Sequence, residues 1–428
     1  MSRVIKIDYL SRVEGESGVF IKMKDGKVTN LEMRVFEAPR FFESFLKGRP
    51  FQDAIDFTAR ICGICPVAYQ MSAVHAIEKI FGVEVRKQIR DLRRLMYCAE
   101  WISSHSLHVY MLHGPDFYGL ESAWSGKEYL PVLKRGLFFK RLGNEILSIL
   151  GGRSIHPVNV RVGGFYRTPE LKKLAELLPS LEKAFEDTIK EIGWASGLNF
   201  KGVCQEREYI SLKDEMAYPM NYGSVVSNKG LNVTMEDYLG AIEEYQRGYS
   251  TALFSGIKRG GEPQPYLVGP LARLNHNYDK LPDEIRGVMD RYGIEIPLLG
   301  MDKGIIARII EIAYAIYESI KIIKGLETEQ SKEVESYSES FEPRSGSATW
   351  ITEAPRGILI HQYELDEKGR IANCKIIPPT SQNLAMIEQD IRNLIESERG
   401  MDKGQLKKAI SSLIRSYDPC ISCSVHLL

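Results

Sequence analysis

Apolar and polar positions first alternate along this chain and then fall into a helical period. Val19-Phe20-Ile21-Lys22-Met23-Lys24 alternates in part, Asp25-Gly26 supplies a turn, and residues 28–35 resume the extended pattern. The first 36 residues therefore predict strands joined by a hairpin. From Phe51 the period changes. Apolar residues at 67, 71, 74, 77 and 81 predict a helix over 66–81, and similar stretches predict helices over 85–112, 130–150, 169–192, 235–249 and 303–326. Several exceed twenty residues, a length suited to helices packed around a shared core. Gly151-Gly152-Arg153, Gly163-Gly164 and residues 260–265 read as connections, and the polar run 331–347 as a surface loop. Residues 348–377 predict two or three strands with a turn at 366–369, and helices over 381–397 and 406–417 lead into the tail. There is no internal repeat. The expected class is α+β, mainly α, with a long-helix bundle core and small peripheral β-sheets. It is expected as one unit over 1–428: a β-rich part over 1–50, a helical core over 51–330, and strands, helices and tail over 348–428.

Composition narrows the function classes. The chain has 428 residues, 44% hydrophobic and 26% charged, in the range of ordinary globular proteins. Lys plus Arg and Asp plus Glu balance at 56 each, which gives no electrostatic case for nucleic acid or an anionic membrane as partner. The most apolar stretch, 304–325, is broken by Arg308, Glu311, Glu318 and Lys321, so it predicts a buried helix with one wet stripe rather than a membrane span. Met1-Ser2-Arg3-Val4 opens no signal-peptide pattern, and the cytoplasm is the expected location. Abundant Lys, Glu and Ile point toward a heat-adapted source. Seven cysteines, an odd count for this length, argue against a disulfide scaffold and for metal or redox chemistry.

Two cysteine pairs carry that chemistry. In Arg60-Ile61-Cys62-Gly63-Ile64-Cys65-Pro66 the Cys-x-x-Cys spacing lets two sulfurs reach one metal, and Pro66 suits the first position of a following helix. Both sulfurs would then meet a helix N-terminus, which favours thiolate. Asp418-Pro419-Cys420-Ile421-Ser422-Cys423 supplies the second pair, 358 positions further on (62 to 420, 65 to 423). Four thiolates suit zinc, iron, iron–sulfur or nickel, and spacing alone leaves a structural zinc or rubredoxin-like iron open. Against it, such sites close local loops, whereas these pairs tie a chain end, which ordinarily frays, to the other end of the sequence. Cys98, Cys204 and Cys374 are isolated and read as buried thiols. The chain has no Gly-x-Gly-x-x-Gly after a strand and no local group of iron–sulfur cysteines, so nucleotide binding and electron relay are expected on partner chains.

Together the two motifs resemble the signatures of [NiFe] hydrogenase large subunits, Arg-x-Cys-Gly-x-Cys near the start and Asp-Pro-Cys-x-x-Cys-x-x-His at the end, here closing on His426. The resemblance continues through Ser11-Arg12-Val13-Glu14-Gly15, Phe42-Glu43-Ser44-Phe45-Leu46-Lys47-Gly48-Arg49, Ser104-His105-Ser106-Leu107-His108 and Pro115-Asp116-Phe117. It includes Gly151-Gly152-Arg153-Ser154-Ile155-His156-Pro157, Val268-Gly269-Pro270-Leu271-Ala272-Arg273 and Glu353-Ala354-Pro355-Arg356-Gly357. It implies the large-subunit fold and a Ni-Fe(CN)2(CO) centre: Cys62, Cys65, Cys420 and Cys423 on nickel, with Cys65 and Cys423 shared with the iron. It further implies that Cys420 accepts the first proton and Glu14 carries it on. Arg356 would donate to one cyanide, held by Asp116 and Asp418, and Thr380 to the other. Glu43 and His426 would bind Mg2+ or Fe2+, and His156 would lie toward the partner's nearest iron–sulfur cluster. Without the resemblance, Glu14 and His156 read as turn residues and Arg356 and Glu43 as surface residues.

The short length and the Arg-Ile-Cys-Gly-Ile-Cys-Pro variant resemble the soluble multi-subunit branch, above all the catalytic subunit of archaeal NADP(H)-linked sulfhydrogenase. That implies reversible H2 cleavage and proton reduction, with sulfur or polysulfide reduction as a further activity of the complex. The implied partners are a small subunit with iron–sulfur clusters, subunits binding FAD and NADP(H), a maturation protease, and nickel and iron insertion factors. The competing readings are a deazaflavin-reducing or membrane-bound hydrogenase subunit, or a non-catalytic protein with a four-cysteine zinc or iron site. Three departures stand out: Tyr69 where many relatives have histidine, Gln382 where tryptophan is common, and Leu427-Leu428 after His426, where relatives are cut.

Overall fold

The computed structural model describes residues 2–200, 202, 205–329, 338–398 and 400–425. His426, Leu427, Leu428, Cys204 and residues 331–337 of the expected polar loop lie outside them.

The N-terminal alternation forms an antiparallel meander of Ser2–Ile7, Ser17–Lys24 and Lys27–Val35, turned at Asp25-Gly26 with both residues at positive φ. Its buried face (Val19, Ile21, Met23, Leu31, Met33, Val35) packs against the helix Pro379–Ser397. The core is helical. Lys87–Leu107 lies between Leu130–Gly151 and Gly304–Glu329, and Leu178–Ser196 packs on the last of these. Pro66–Phe81 has the bounds its period predicts, with Pro66 in its first turn and left-handed Gly82 at its end. It packs beneath a second meander, Gly346–Ala354, Gly357–Leu365 and Ile371–Ile377. Helical core and small sheets together bear out the expected mainly α class.

Three expectations are corrected. Residues 235–249 form only a short helix, Tyr238–Ala241, before the strand Ile242–Gln246 pairs with Leu253–Ile257. Met235, Tyr238 and Ile242 mimic a helical period, but all three are buried in a separate apolar cluster with Ile210, Leu212 and Val225. Tertiary burial, not local period, decides the element there. The expected wet stripe on Gly304–Glu329 is mostly dry: Arg308, Glu311 and Glu318 are buried, the last two ion-paired, and only Lys321 is exposed. The expected loop also ends early, since Gly346 and Ser347 already belong to a strand.

The two ends of the chain are zipped together. After the helix Lys403–Ser416, started by an Asp402–Gln405 capping box, the tail turns at Asp418 (φ 56°) and runs beside the N-terminal segment. Glu14 and Cys420 form a parallel bridge, the Ile421 N–H donates to Glu14 O (3.0 Å), and the Arg40 N–H donates to Val425 O (3.1 Å). Gly15 is obligatory at this crossing. Its φ is +85°, and a Cβ would meet Ile421 at 2.7 Å and Ser422 N at 2.9 Å.

Candidate metal centre

The first cysteine pair sits where the helix Pro66–Phe81 begins. Cys65 is its N-cap residue, and Cys62 Sγ accepts from the N–H groups of Ile64 (3.3 Å) and Cys65 (3.2 Å). The next free N–H groups of this terminus, Val67 and Ala68, are taken by the buried Glu100 carboxylate at 2.6 and 3.1 Å. Burial opposes ionisation of Cys62, but a bond from Cys65, the Arg356 charge and the two N–H groups hold its pKa below the ordinary thiol value. Cys65 is pushed well above it, first by that bond to Cys62 and then by burial. The pair shares one negative charge most readily.

The tail brings the second pair onto the first. Cys62 Sγ and Cys420 Sγ are 3.6 Å apart although 358 positions separate them. The sulfurs of Cys420 and Cys423 are in disulfide contact, and those of Cys62, Cys420 and Cys423 all lie within 4.8 Å of one another. Cys65 joins the same buried cluster, which Ile61, Ala68, Tyr69, Leu359 and Ile376 enclose. Three sulfurs that converge, with Cys65 in the same buried cluster, form a soft donor set that fits a thiophilic transition metal.

Polar groups around the sulfurs fit ligands beyond them. Arg356 donates from Nε to Asp418 O (2.7 Å) and from Nη2 to Asp418 Oδ1 (3.1 Å), while its buried Nη1 has no partner among the described residues. Its charge acts on both Cys62 and Cys65. Thr380 Oγ1 accepts from the Cys420 N–H at 3.0 Å, which leaves its own proton to donate elsewhere. The Tyr69 hydroxyl is likewise buried without a partner among these residues. Arg356 Nη1 and the Tyr69 hydroxyl are two of several such buried atoms among the described residues, and these two adjoin the cysteine cluster.

Glu14 lies on the other side of Cys420. Its carboxylate accepts from the Ser422 hydroxyl (2.5 Å) and N–H (3.1 Å). Asp418 is drawn to Arg356 as the sequence implies; Asp116 is not. It binds Arg12 (2.5 Å) and, through both oxygens, Arg415 (2.7 and 2.8 Å). The reason is placement: Asp116 follows the π-helix His108–His113 and faces the C-terminal end of Lys403–Ser416. Glu43 accepts from the Ile376 N–H at 2.6 Å, and burial raises its pKa to about 7. His156 stands half-buried at φ 50°, Nδ1 bonded to Ala59 O (2.7 Å), between the exposed Ile155 and Val158. Cys98 and Cys374 are buried free thiols. Gln382 bonds Ile358 O and Tyr266.

Two neighbours of the site escaped the sequence reading. Glu100 interrupts the apolar run from Leu95 to Ile102, a signal that was there to be used. Arg40, which holds Ile61 O (2.8 Å) and Ser422 O and so ties the two cysteine loops together, carries no such signal.

The architecture is that of a helical protein in which two cysteine pairs, 358 positions apart in sequence, meet in one buried cluster that could hold a metal. The Nickel-dependent hydrogenase family model matches residues 40–130 and 261–426. The chain is 32% identical to sulfhydrogenase 1 subunit alpha of Pyrococcus furiosus over 99% of its length and 98% of the relative's. It is 26% identical to NAD-reducing hydrogenase HoxS subunit beta of Cupriavidus necator, over 100% and 96% of the two chains. A crystal structure of an NAD+-reducing [NiFe]-hydrogenase in the H2-reduced state superposes with a TM-score of 0.85 at 25% identity, covering 99% of both chains. The chain belongs to the nickel-dependent hydrogenase family, as a catalytic large subunit.

Proposed function

We propose that this subunit catalyses reversible H2 oxidation, H2 ⇌ 2H+ + 2e−, within a cytoplasmic complex that exchanges the electrons with NADP(H). The observation that carries the reading is the approach of Cys62 to Cys420 over 358 positions of sequence, near an arginine with a donor unpartnered among the described residues. In this reading Cys62, Cys65, Cys420 and Cys423 would hold nickel, and Cys65 and Cys423 would also hold an iron carrying cyanide and carbon monoxide. When bound, that centre supplies an electron-rich dinuclear site at which H2 is split heterolytically.

The chain's own residues do the rest. Cys420 Sγ takes the first proton, and the carboxylate of Glu14, its partner in the parallel bridge, receives it. Arg356 Nη1 and the Thr380 hydroxyl would donate to the two cyanides, and Asp418 fixes the plane of Arg356 through two contacts to one guanidinium. The enclosing apolar cluster keeps bulk water from the sulfurs. Glu43, raised in pKa and close to the Ile376 backbone, would share Mg2+ or Fe2+ with His426 and pin the tail. His156 and its exposed apolar neighbours would face the small subunit.

The pyrococcal relatives are named sulfhydrogenases, which supports an NADP(H)-linked complex with sulfur reduction as a second activity. Electrons would pass through iron–sulfur clusters and a flavin on the partner subunits. Relatives named NAD-reducing and F420-non-reducing favour a second reading in which only the acceptor differs. No helix among the described residues is long and apolar enough to cross a membrane. The test is to purify the native complex under H2 and offer NADP+, NAD+ and polysulfide separately. Reduction of NADP+ at least tenfold faster than NAD+ supports the proposal. Equal or reversed rates move the assignment to the second reading.

A further inference from the structure

Arg356 is held at one end by Asp418, but a side chain is no better placed than the backbone that carries it. That backbone is the turn Ala354-Pro355-Arg356-Gly357, between two strands of the second meander. Its carbonyls are gripped from below by one residue. Arg273, at 0% exposure, donates from Nη1 to Ala354 O (2.7 Å) and from Nη2 to Pro355 O (2.9 Å). The same guanidinium donates to Glu353 Oε2 (2.8 Å) and pairs with both oxygens of Glu311 (2.8 Å each). Every N–H direction of the fork is therefore spent, and the Trp101 ring lies 4.4 Å from its centre.

The gripping residue is itself fixed from four elements. Glu311, on Gly304–Glu329, accepts from the Tyr218 hydroxyl (2.8 Å) and lies 2.9 Å from His105 Nε2. Glu353 accepts from the Leu212 N–H (2.7 Å), and its carbonyl accepts from Trp101 Nε1 (3.2 Å). From the other side Gly269 lies against the turn at φ +119°, where a Cβ would meet Arg356 O at 2.8 Å. A core stabilised by packing alone would place apolar side chains here at less desolvation cost. Two buried carboxylates and an arginine aimed at consecutive carbonyls make sense as a device that sets geometry.

We infer that Arg273, braced by Glu311, is a positioning residue for catalysis: through the carbonyls of Ala354 and Pro355 it sets where the Arg356 guanidinium stands over the cysteines. The inference rests on the hydrogenase reading, because it needs Arg356 to act on the centre. A lysine at 273 keeps the charge but can reach only part of the fork's acceptors, so the turn relaxes. Misplacement of a catalytic group by about 1 Å costs up to roughly a hundredfold in rate.

The test uses the complete purified complex in four forms: wild type, Arg273→Lys, Glu311→Gln and Arg356→Lys. Metal content, melting temperature, infrared cyanide bands and H2–D+ exchange are measured on each. The expected result is wild-type metal content in Arg273→Lys, cyanide bands displaced in the same sense as in Arg356→Lys, and exchange slowed about tenfold or more. Glu311→Gln, the milder change, should displace the bands less and in the same sense. Cyanide bands at wild-type positions in either folded, metal-loaded variant overturn the inference, even if the melting temperature falls. Absence of cyanide bands in the wild type overturns the hydrogenase reading instead, so the two failures are distinct.

Discussion

Cys420 is where the sulfur chemistry and the proton chemistry meet. Its sulfur lies 3.6 Å from that of Cys62, its N–H is tied to Thr380, and Glu14 is its partner in a parallel bridge. Cys420→Ser should abolish H2 turnover, because a hydroxyl is too hard and too weakly acidic to replace a thiolate on nickel; turnover near wild type would remove nickel from this position. Glu14→Gln keeps the shape and both contacts to Ser422 within reach of an amide. We expect full metal content with H2–D+ exchange slowed by roughly 10²–10⁴-fold, and an unchanged exchange rate would take Glu14 out of the proton path. Tyr69 gives a prediction of a different kind. Its buried hydroxyl has no partner among the described residues, so Tyr69→Phe should leave the melting temperature of the metal-free chain unchanged or slightly raised. A loss of about 1 kcal/mol or more in denaturant unfolding would mean the hydroxyl is satisfied after all. At this scale the cysteines were legible, since few chemistries explain Cys-x-x-Cys at both ends. Arg273 and Glu311 were not, because nothing in a sequence says which buried charges will face one another.

Helices were read well where a long period is bounded by a start signal and poorly where a short period stands alone. Pro66–Phe81 has the bounds its period and Pro66 imply, whereas residues 235–249 have helical spacing and strand structure. Short apolar runs obey whichever surface buries them. The joint between Pro66–Phe81 and Lys87–Leu107 depends on a pair the periodicity hides. Glu78 binds Arg93 through two bonds of 2.7 and 2.8 Å and accepts from the Gly163 N–H at 2.8 Å, all buried. Burial raises the Glu78 pKa, but Arg93 and His75 outweigh it and hold the value at about 2. A carboxylate depressed in this way contributes stability that is complete above its unfolded pKa of about 4.3 and is lost as pH falls toward about 2. Unfolding by acid should therefore set in below about pH 4.3, and Glu78→Gln should flatten that acid limb while costing about 3–5 kcal/mol at neutral pH. An acid limb of unchanged slope in Glu78→Gln would show that this pair does not govern it.

Taken whole, the molecule is a helical core that uses its first and last segments as the two halves of one site. Arg40 spans both halves, holding Ile61 O before the first cysteine pair and Ser422 O within the second. Gly15 lets the strands cross at contact distance. The mainly α class was legible from the long periodic stretches, and the small sheets at 210–257 were not, because their strands are short and their partners distant in sequence. The meeting of the chain ends follows from the cysteine motifs only if one metal centre claims all four. That is the central claim, and infrared spectroscopy of the purified complex in the triple-bond stretching region, with metal analysis on the same sample, tests it most directly. One carbonyl band and two cyanide bands, with one nickel per chain, is the predicted result. A silent region, with zinc or iron alone in a matured sample, would contradict it and make the four cysteines a structural clasp.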